Sequence, residues 1–214
     1  MRITKDREYA VVLFLVAGLL PAMLPFGYAQ STAPEFPSSG QSGISGSNST
    51  ALANSTDLES AKQRYLEAWN QTDFHVAFST FIEGYSEQGY GVYVEHPSDV
   101  FNPGDTITLY LEPVGYSYTP VLNEAGDALY RVNLTAQVAI EDASGNLLAT
   151  IENLPPFEVT SHHKNTELYM TVTVTQQEPF PEGTYKFTYK IGDGQTGETA
   201  VISKNVRVAE TVSS

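Results

Sequence analysis

Hydrophobic and polar side chains alternate without error from Thr184 to Ile191: Tyr185, Phe187, Tyr189 and Ile191 share one parity, and Thr184, Lys186, Thr188 and Lys190 the other. Successive side chains on a strand point to opposite faces, so this run predicts a strand with one buried face. Gly192-Asp193-Gly194 supplies residues that tolerate a turn, and Val201–Val208 is expected to return as the second arm of a hairpin. An isolated hairpin cannot bury such a row, so further strands and an opposing layer are required.

The rest of the chain supplies them. Phe74, Val76, Phe78, Thr80 and Ile82 alternate, Tyr93–His96 forms a short run, and Ile107, Leu109 and Leu111 follow the turn Asn102-Pro103-Gly104-Asp105. Tyr130, Val132, Leu134, Ala136, Val138 and Ile140 make the longest dry parity, against a wet one of Arg131, Asn133, Thr135 and Gln137. Asp142–Asn146 closes a hairpin into Leu147–Ile151, after which come Phe157–His163 and the run Leu168, Met170, Val172, Val174. About eight or nine short strands with Gly, Pro and Asn turns predict an all-β, antiparallel sandwich over residues 73–210. Tyr185, opening the closing hairpin after the loop Glu178–Glu182, is expected to bond back to that loop as the corner tyrosine of immunoglobulin-like sandwiches does. Phe187 then stands at a core position where antibody domains carry a cysteine.

Ahead of the sandwich the period changes. Thr56-Asp57-Leu58-Glu59 fits a capping box, and Leu58, Ala61, Tyr65, Leu66 and Trp69 recur at helical spacing, which predicts a short helix over 56–72. Trp69, the lone tryptophan, reads as the anchor of that helix more readily than as a ligand platform. Residues 30–55 are rich in Ser, Thr, Gly, Pro and Asn, lack Lys and Arg, and read as a disordered linker or tether able to span roughly 30 Å. Residues 1–29 carry Arg2, Lys5 and Arg7, an apolar run from Ala10 to Leu20, and small residues Gly27 and Ala29 before Gln30. This is the pattern of a cleaved secretory signal; an uncleaved membrane anchor is the alternative, and either one exports the domain.

Charge and composition narrow the function. The 214 residues carry a formal net charge of −14, which disfavours nucleic acid and anionic membrane surfaces as partners. Any membrane contact is expected to run through an uncleaved N-terminal segment alone. With no cysteine there is no disulfide framework, thiolate metal site or cysteine nucleophile. Sequons at Asn48, Asn54, Asn70 and Asn133 are compatible with a glycoprotein.

Gly89-Tyr90-Gly91-Val92-Tyr93, Phe101-Asn102-Pro103-Gly104-Asp105 and Tyr110-Leu111-Glu112-Pro113-Val114-Gly115-Tyr116 form a pattern that resembles uncharacterised exported immunoglobulin-like β-sandwich proteins, over about residues 85–208. The resemblance implies the fold and brings no assigned activity, cofactor or catalytic position.

No nucleophile elbow, phosphate loop, dinucleotide fingerprint, zincin helix or EF-hand loop is present in the sequence. The 4 histidines, His75, His96, His162 and His163, read as surface or strand-end residues rather than a metal site. The loops Asp142–Asn146 and Asp193–Glu198 offer oxygen ligands for calcium, but turn chemistry already accounts for them. Hence no catalytic residue, metal or cofactor is expected.

Tyrosine is abundant, at 13 residues, and Tyr85, Tyr90, Tyr93, Tyr110, Tyr116, Tyr118 and Tyr130 crowd the first half of the sandwich. Strand propensity explains most of them. The alternative is a binding surface: Tyr110 on the parity away from the core, Tyr116 and Tyr118 in a long loop Val114–Gly126, and Glu112 and Glu124 as hydrogen-bond acceptors. Three functions follow in order: an extracytoplasmic, envelope-associated binding or assembly module facing a protein or glycan at the cell surface; a carbohydrate-binding module using these tyrosines; and a carboxylate-based hydrolase.

Overall fold

A computed structural model describes residues 11–16, 48–152, 154–176 and 178–210, with side chains from residue 56 onward. Apart from Tyr93–His96, the alternating runs become strands as their periodicity requires. In chain order these are β1 (Val11–Val16), β2 (His75–Ile82), β3 (Val100–Phe101), β4 (Ile107–Val114), β5 (Thr119–Leu122), β6 (Ala128–Asp142), β7 (Leu147–Ile151), β8 (Phe157–Ser161), β9 (Met170–Gln176), β10 (Gly183–Asp193) and β11 (Thr199–Val208), with one helix, α1 (Asn48–Asn70), between β1 and β2. They form a four-stranded sheet ordered β1-β9-β4-β2 and a seven-stranded sheet ordered β3-β11-β10-β6-β5, in which β7 and β8 also pair with β6. Pairing is antiparallel except between β3 and β11. The all-β sandwich is thus present.

Its core is built from the parities read along the chain. Ile107, Leu109, Leu111, Met170, Val172 and Val174 are buried on the first sheet, and Val132, Leu134, Ala136, Val138, Ile140, Tyr185, Phe187, Tyr189 and Ile191 on the second. The register places Leu109 opposite Val172 and Phe187 opposite Ile140, so the dry parities of neighbouring strands coincide. The hydroxyl of Tyr185 donates to the carbonyl of Pro181 at 2.7 Å, closing the corner that leads into β10. Phe187 lies within 6.3 Å of both Phe180 and Tyr189, ring to ring.

Several boundaries differ from the sequence reading. The helix begins at Asn48 rather than Thr56: no Gly or Pro stands between Asn48 and Ser55, and Ala51, Leu52 and Ala53 favour helix, so the turns before the capping box continue it. The last residues assigned to the linker are therefore helical, while 30–47 lie outside the described residues. Trp69 is buried, with its ring 6.3 Å from that of Tyr65. α1 as far as Trp69 belongs to a compact unit distinct from the sandwich. Of the expected signal segment, Val11–Val16 is described, and it forms β1 against β9; the remainder lies outside the described residues. No described helix is long and apolar enough to cross a membrane.

Within the sandwich, Val114–Gly126 is not one long loop. It contains β5, which pairs with β6 through Pro120 opposite Tyr130. Proline argues against a central strand but is tolerated at a sheet margin, so a short strand was hidden behind it. Tyr93–His96 is not a strand; its backbone pairs with β2 at one isolated bridge, Ile82 to Glu95. Gly115, just past β4, has φ +76, and a Cβ there would stand 2.5 Å from the Thr72 carbonyl, so the backbones approach at this point as a side chain would forbid.

Candidate functional site

The tyrosines singled out by the sequence do not form one surface. Tyr110 does point away from the core parity, yet it is 0% exposed. The segment after β2 folds back over it: Gly91 donates its N–H to the Tyr110 hydroxyl at 2.7 Å, and that hydroxyl donates to Glu112 Oε1 at 2.8 Å. The Tyr93 ring lies 4.4 Å away and Tyr169 stacks at 5.3 Å. Burial, reinforced by the Glu112 carboxylate, pushes the Tyr110 phenol far above its ordinary value. Tyr110 and Glu112 therefore clasp this segment to the sheet and present no stacking face.

Tyr116 is 1% exposed and Tyr118 half-buried. Both hydroxyls donate to one carbonyl, that of Asn165, at 2.8 and 2.6 Å. The Lys164 ammonium sits 5.4 Å above Tyr118 and 5.5 Å above Tyr130. This is a packed corner, with Tyr118 and Tyr130 as its outer layer. Glu124 is exposed in the turn between β5 and β6.

Of the sequons, Asn48, Asn54 and Asn70 lie on α1, and Asn70 is exposed. Asn133 is tighter. Its Oδ1 is buried with no hydrogen-bond partner, and its carboxamide stands about 3.0 Å from where a side chain on Gly194 would begin. Asn133 is therefore half-buried against the β10–β11 turn, unlike the exposed Asn70.

In the loops considered for calcium, Asp142 and Asp193 already accept backbone N–H groups. Asp142 Oδ1 accepts the N–H groups of Ser144 and Asn146 at 2.8 and 2.9 Å, and Oδ2 accepts the Asn146 carboxamide at 2.8 Å. These bonds hold its carboxyl below the ordinary range. Asp193, 2% exposed, takes Ser117 N–H at 2.7 Å and Gln195 N–H at 2.8 Å. Among the described residues no group of three or more His, Cys, Asp or Glu side chains is placed to hold a metal ion.

A different place gathers polar chemistry. His96 N–H donates to the Phe81 carbonyl at 2.9 Å, which carries the chain along β2; Pro97 keeps His96 extended and turns the chain away. The segment then reaches β11, where Arg207 N–H donates to the Asp99 carbonyl at 2.9 Å and Val100–Phe101 pairs as β3. The strap 95–101 thus joins the edge of one sheet to the edge of the other. Beside it opens a cleft of about 440 Å³, lined by residues that include Thr80, Glu95, His96, Asp99, Ser203 and Lys204.

Thr80, Glu95, His96 and Lys204 are each oriented in this cleft. The Thr80 hydroxyl donates to Glu95 Oε1 at 2.8 Å. His96 Nδ1 lies 2.6 Å from the Ser98 carbonyl, and because a carbonyl only accepts, Nδ1 carries the proton and leaves Nε2 as an acceptor in the neutral ring. Stacking on Phe101, at 4.2 Å and 15°, fixes the ring plane. The Lys204 ammonium donates to the Ser79 carbonyl at 2.9 Å, and among the described residues the sole ion pair is Lys186–Glu141, so Lys204 has no carboxylate partner. Glu95 and Asp99 are exposed.

The sequence did hold one signal for this site. Ile202, Lys204, Val206 and Val208 share the inward parity of β11, and lysine on such a parity needs a reason. Here the reason is the cleft, into whose margin the lysine stem runs.

No protein-family model matches this chain, and no curated protein matches it. Among solved structures, a family 123 glycoside hydrolase from Clostridium perfringens, described for glycolipid glycan hydrolysis, is similar at a TM-score of 0.30 and 11% identity over 53% of this chain. This chain spans about 23% of that protein's length, and at such a score the likeness carries no argument.

Proposed function

We propose that this protein is an exported, non-enzymatic β-sandwich that binds a small polyhydroxylated ligand, a sugar, in the cleft between β2 and β11. The observation that carries this reading is Lys204, an inward-parity cation without a carboxylate partner, sharing one cleft with the acceptors Glu95, Asp99 and His96 Nε2. Ligands with many hydroxyls both donate and accept, so a site that interleaves donors and acceptors suits them. The cleft falls within the ~300–1,000 Å³ common for small-ligand sites. Its carboxylates are exposed, whereas a general acid is commonly poised by burial, which favours binding over hydrolysis. Export is supported by the basic start, apolar run and small residues of the N-terminal segment.

A glycan array followed by calorimetry on the best neutral saccharide tests this. Lys204→Met and Glu95→Gln are each expected to weaken binding at least about tenfold, equivalent to ~1.4 kcal/mol, while the domain stays folded. Equal binding by parent and both variants, or no saccharide bound by the parent, overturns the reading.

A further inference from the structure

The strand edges of this sandwich are guarded unequally. At one margin of the four-stranded sheet, β2 carries a bulge between Val76 and Phe78 and is flanked by the strap at Glu95 and His96. In the second sheet β3 has 2 residues, and β5 has 4 and includes Pro120. Bulges, short strands, prolines and covering loops are the usual means of stopping a sheet from recruiting further strands. β9 has none of them. Its 7 residues, MTVTVTQ, contain no charge and no proline, and its pairing with β4 is regular.

What covers this edge is β1, antiparallel over 6 residues, with Leu13 opposite Val174 and Leu15 opposite Val172. β1 comes from the very segment that the sequence marks for removal on export. Without it the β9 edge loses the strand partner that β1 supplies from Thr171 to Gln176.

We propose that β9 is a self-pairing edge, and that two copies of the exported chain join through antiparallel β9–β9 pairing wherever β1 is absent. The strand suits itself. Paired about Thr173, it sets Val172 opposite Val174 of the second copy and Thr171 opposite Thr175, so its alternation is preserved across the two-fold axis. The orientation is the one β1 already adopts, and the result is a continuous sheet β2-β4-β9-β9-β4-β2. The inference rests on removal of the N-terminal segment, and the test separates that premise from the pairing itself.

The full chain is expressed in an exporting host and the exported form recovered. Intact mass reports the N-terminus, and light scattering on a sizing column reports the oligomer. A shortened chain is expected to be a dimer. Thr173→Cys, in a protein with no other cysteine, is expected to form a disulfide-linked dimer on mild oxidation, and Thr175→Lys to shift the parent dimer to monomer. A shortened chain that is monomeric and fails to cross-link overturns the proposal. If the mass shows the segment retained, the export premise is wrong, and the pairing makes its own prediction: monomer for the parent, dimer for Leu13→Pro, which breaks the β1 ladder. A monomeric Leu13→Pro protein, or a parent dimer with β1 in place, overturns it then.

Discussion

Tyr185 and Pro181 are joined by a 2.7 Å hydrogen bond from phenol to carbonyl across four residues, and the Tyr185 ring stacks on Phe180 at 5.1 Å. Phe180 in turn donates its N–H to Gln176 Oε1 at 2.6 Å. The corner therefore links the end of β9 to the start of β10. Tyr185→Phe keeps the ring and removes the bond, leaving the Pro181 carbonyl without this donor. We expect a loss of about 1 kcal/mol, read as a lower urea midpoint at unchanged slope.

On the same face of the same strand, Tyr189 has the opposite character. Its hydroxyl is fully buried and finds no hydrogen-bond partner. A buried donor left unpaired costs ~1–3 kcal/mol, so removing it relieves that cost. Tyr189→Phe is expected to leave stability unchanged or to raise it by about 1 kcal/mol. A midpoint falling as far as that of Tyr185→Phe would show that the hydroxyl has a partner.

Tyr116 and Tyr118 share the Asn165 carbonyl but not the same burial. Tyr116→Ala opens a cavity and is expected to cost ~3–5 kcal/mol. Tyr118→Ala removes a half-buried ring and its contact with Lys164, and is expected to cost clearly less. Thermal melts of the two single variants check this order. Equal losses would mean that the two rings support the corner alike.

Alkali is expected to destabilise the fold. Burial raises the phenols of Tyr110, Tyr169, Tyr189 and Tyr93 above the ordinary 10.0, with neighbouring carboxylates adding to the effect at Tyr110 and Tyr93 (Glu112) and at Tyr169 (Glu87). An acid whose folded value is raised stays protonated in the folded state while the unfolded chain ionises. Its stabilising contribution is full below pH 10.0 and is lost as pH climbs from there toward the folded values. Urea midpoints between about pH 8 and 11 should be flat and then fall, and tyrosinate absorbance should rise together with unfolding. A fall beginning well below pH 9 or so would point to other groups.

The sequence by itself determined which residues of β6 and β10 face the core, whereas in β2 the bulge between Val76 and Phe78 leaves Phe78 exposed and buries Phe81 from the other parity. Strand alternation is a property of a few consecutive residues, so the dry parities of β6 and β10 and the Tyr185 corner could be read without knowing their neighbours. The Asp142–Asn146 turn was legible for the same reason, since its carboxylate bonds to amides two and four residues on. What covers the other parity is a different matter. Tyr110 points outward as its position requires, yet it is buried because Gly91 and Tyr93 arrive from another segment. β5 lay hidden because local rules penalise Pro120, and only pairing with β6 outweighs them. The cleft exists because His96, on a strap leaving one sheet, meets Lys204 on the margin of the other. Such meetings depend on where distant backbone groups find partners, and no short window of sequence contains both sides.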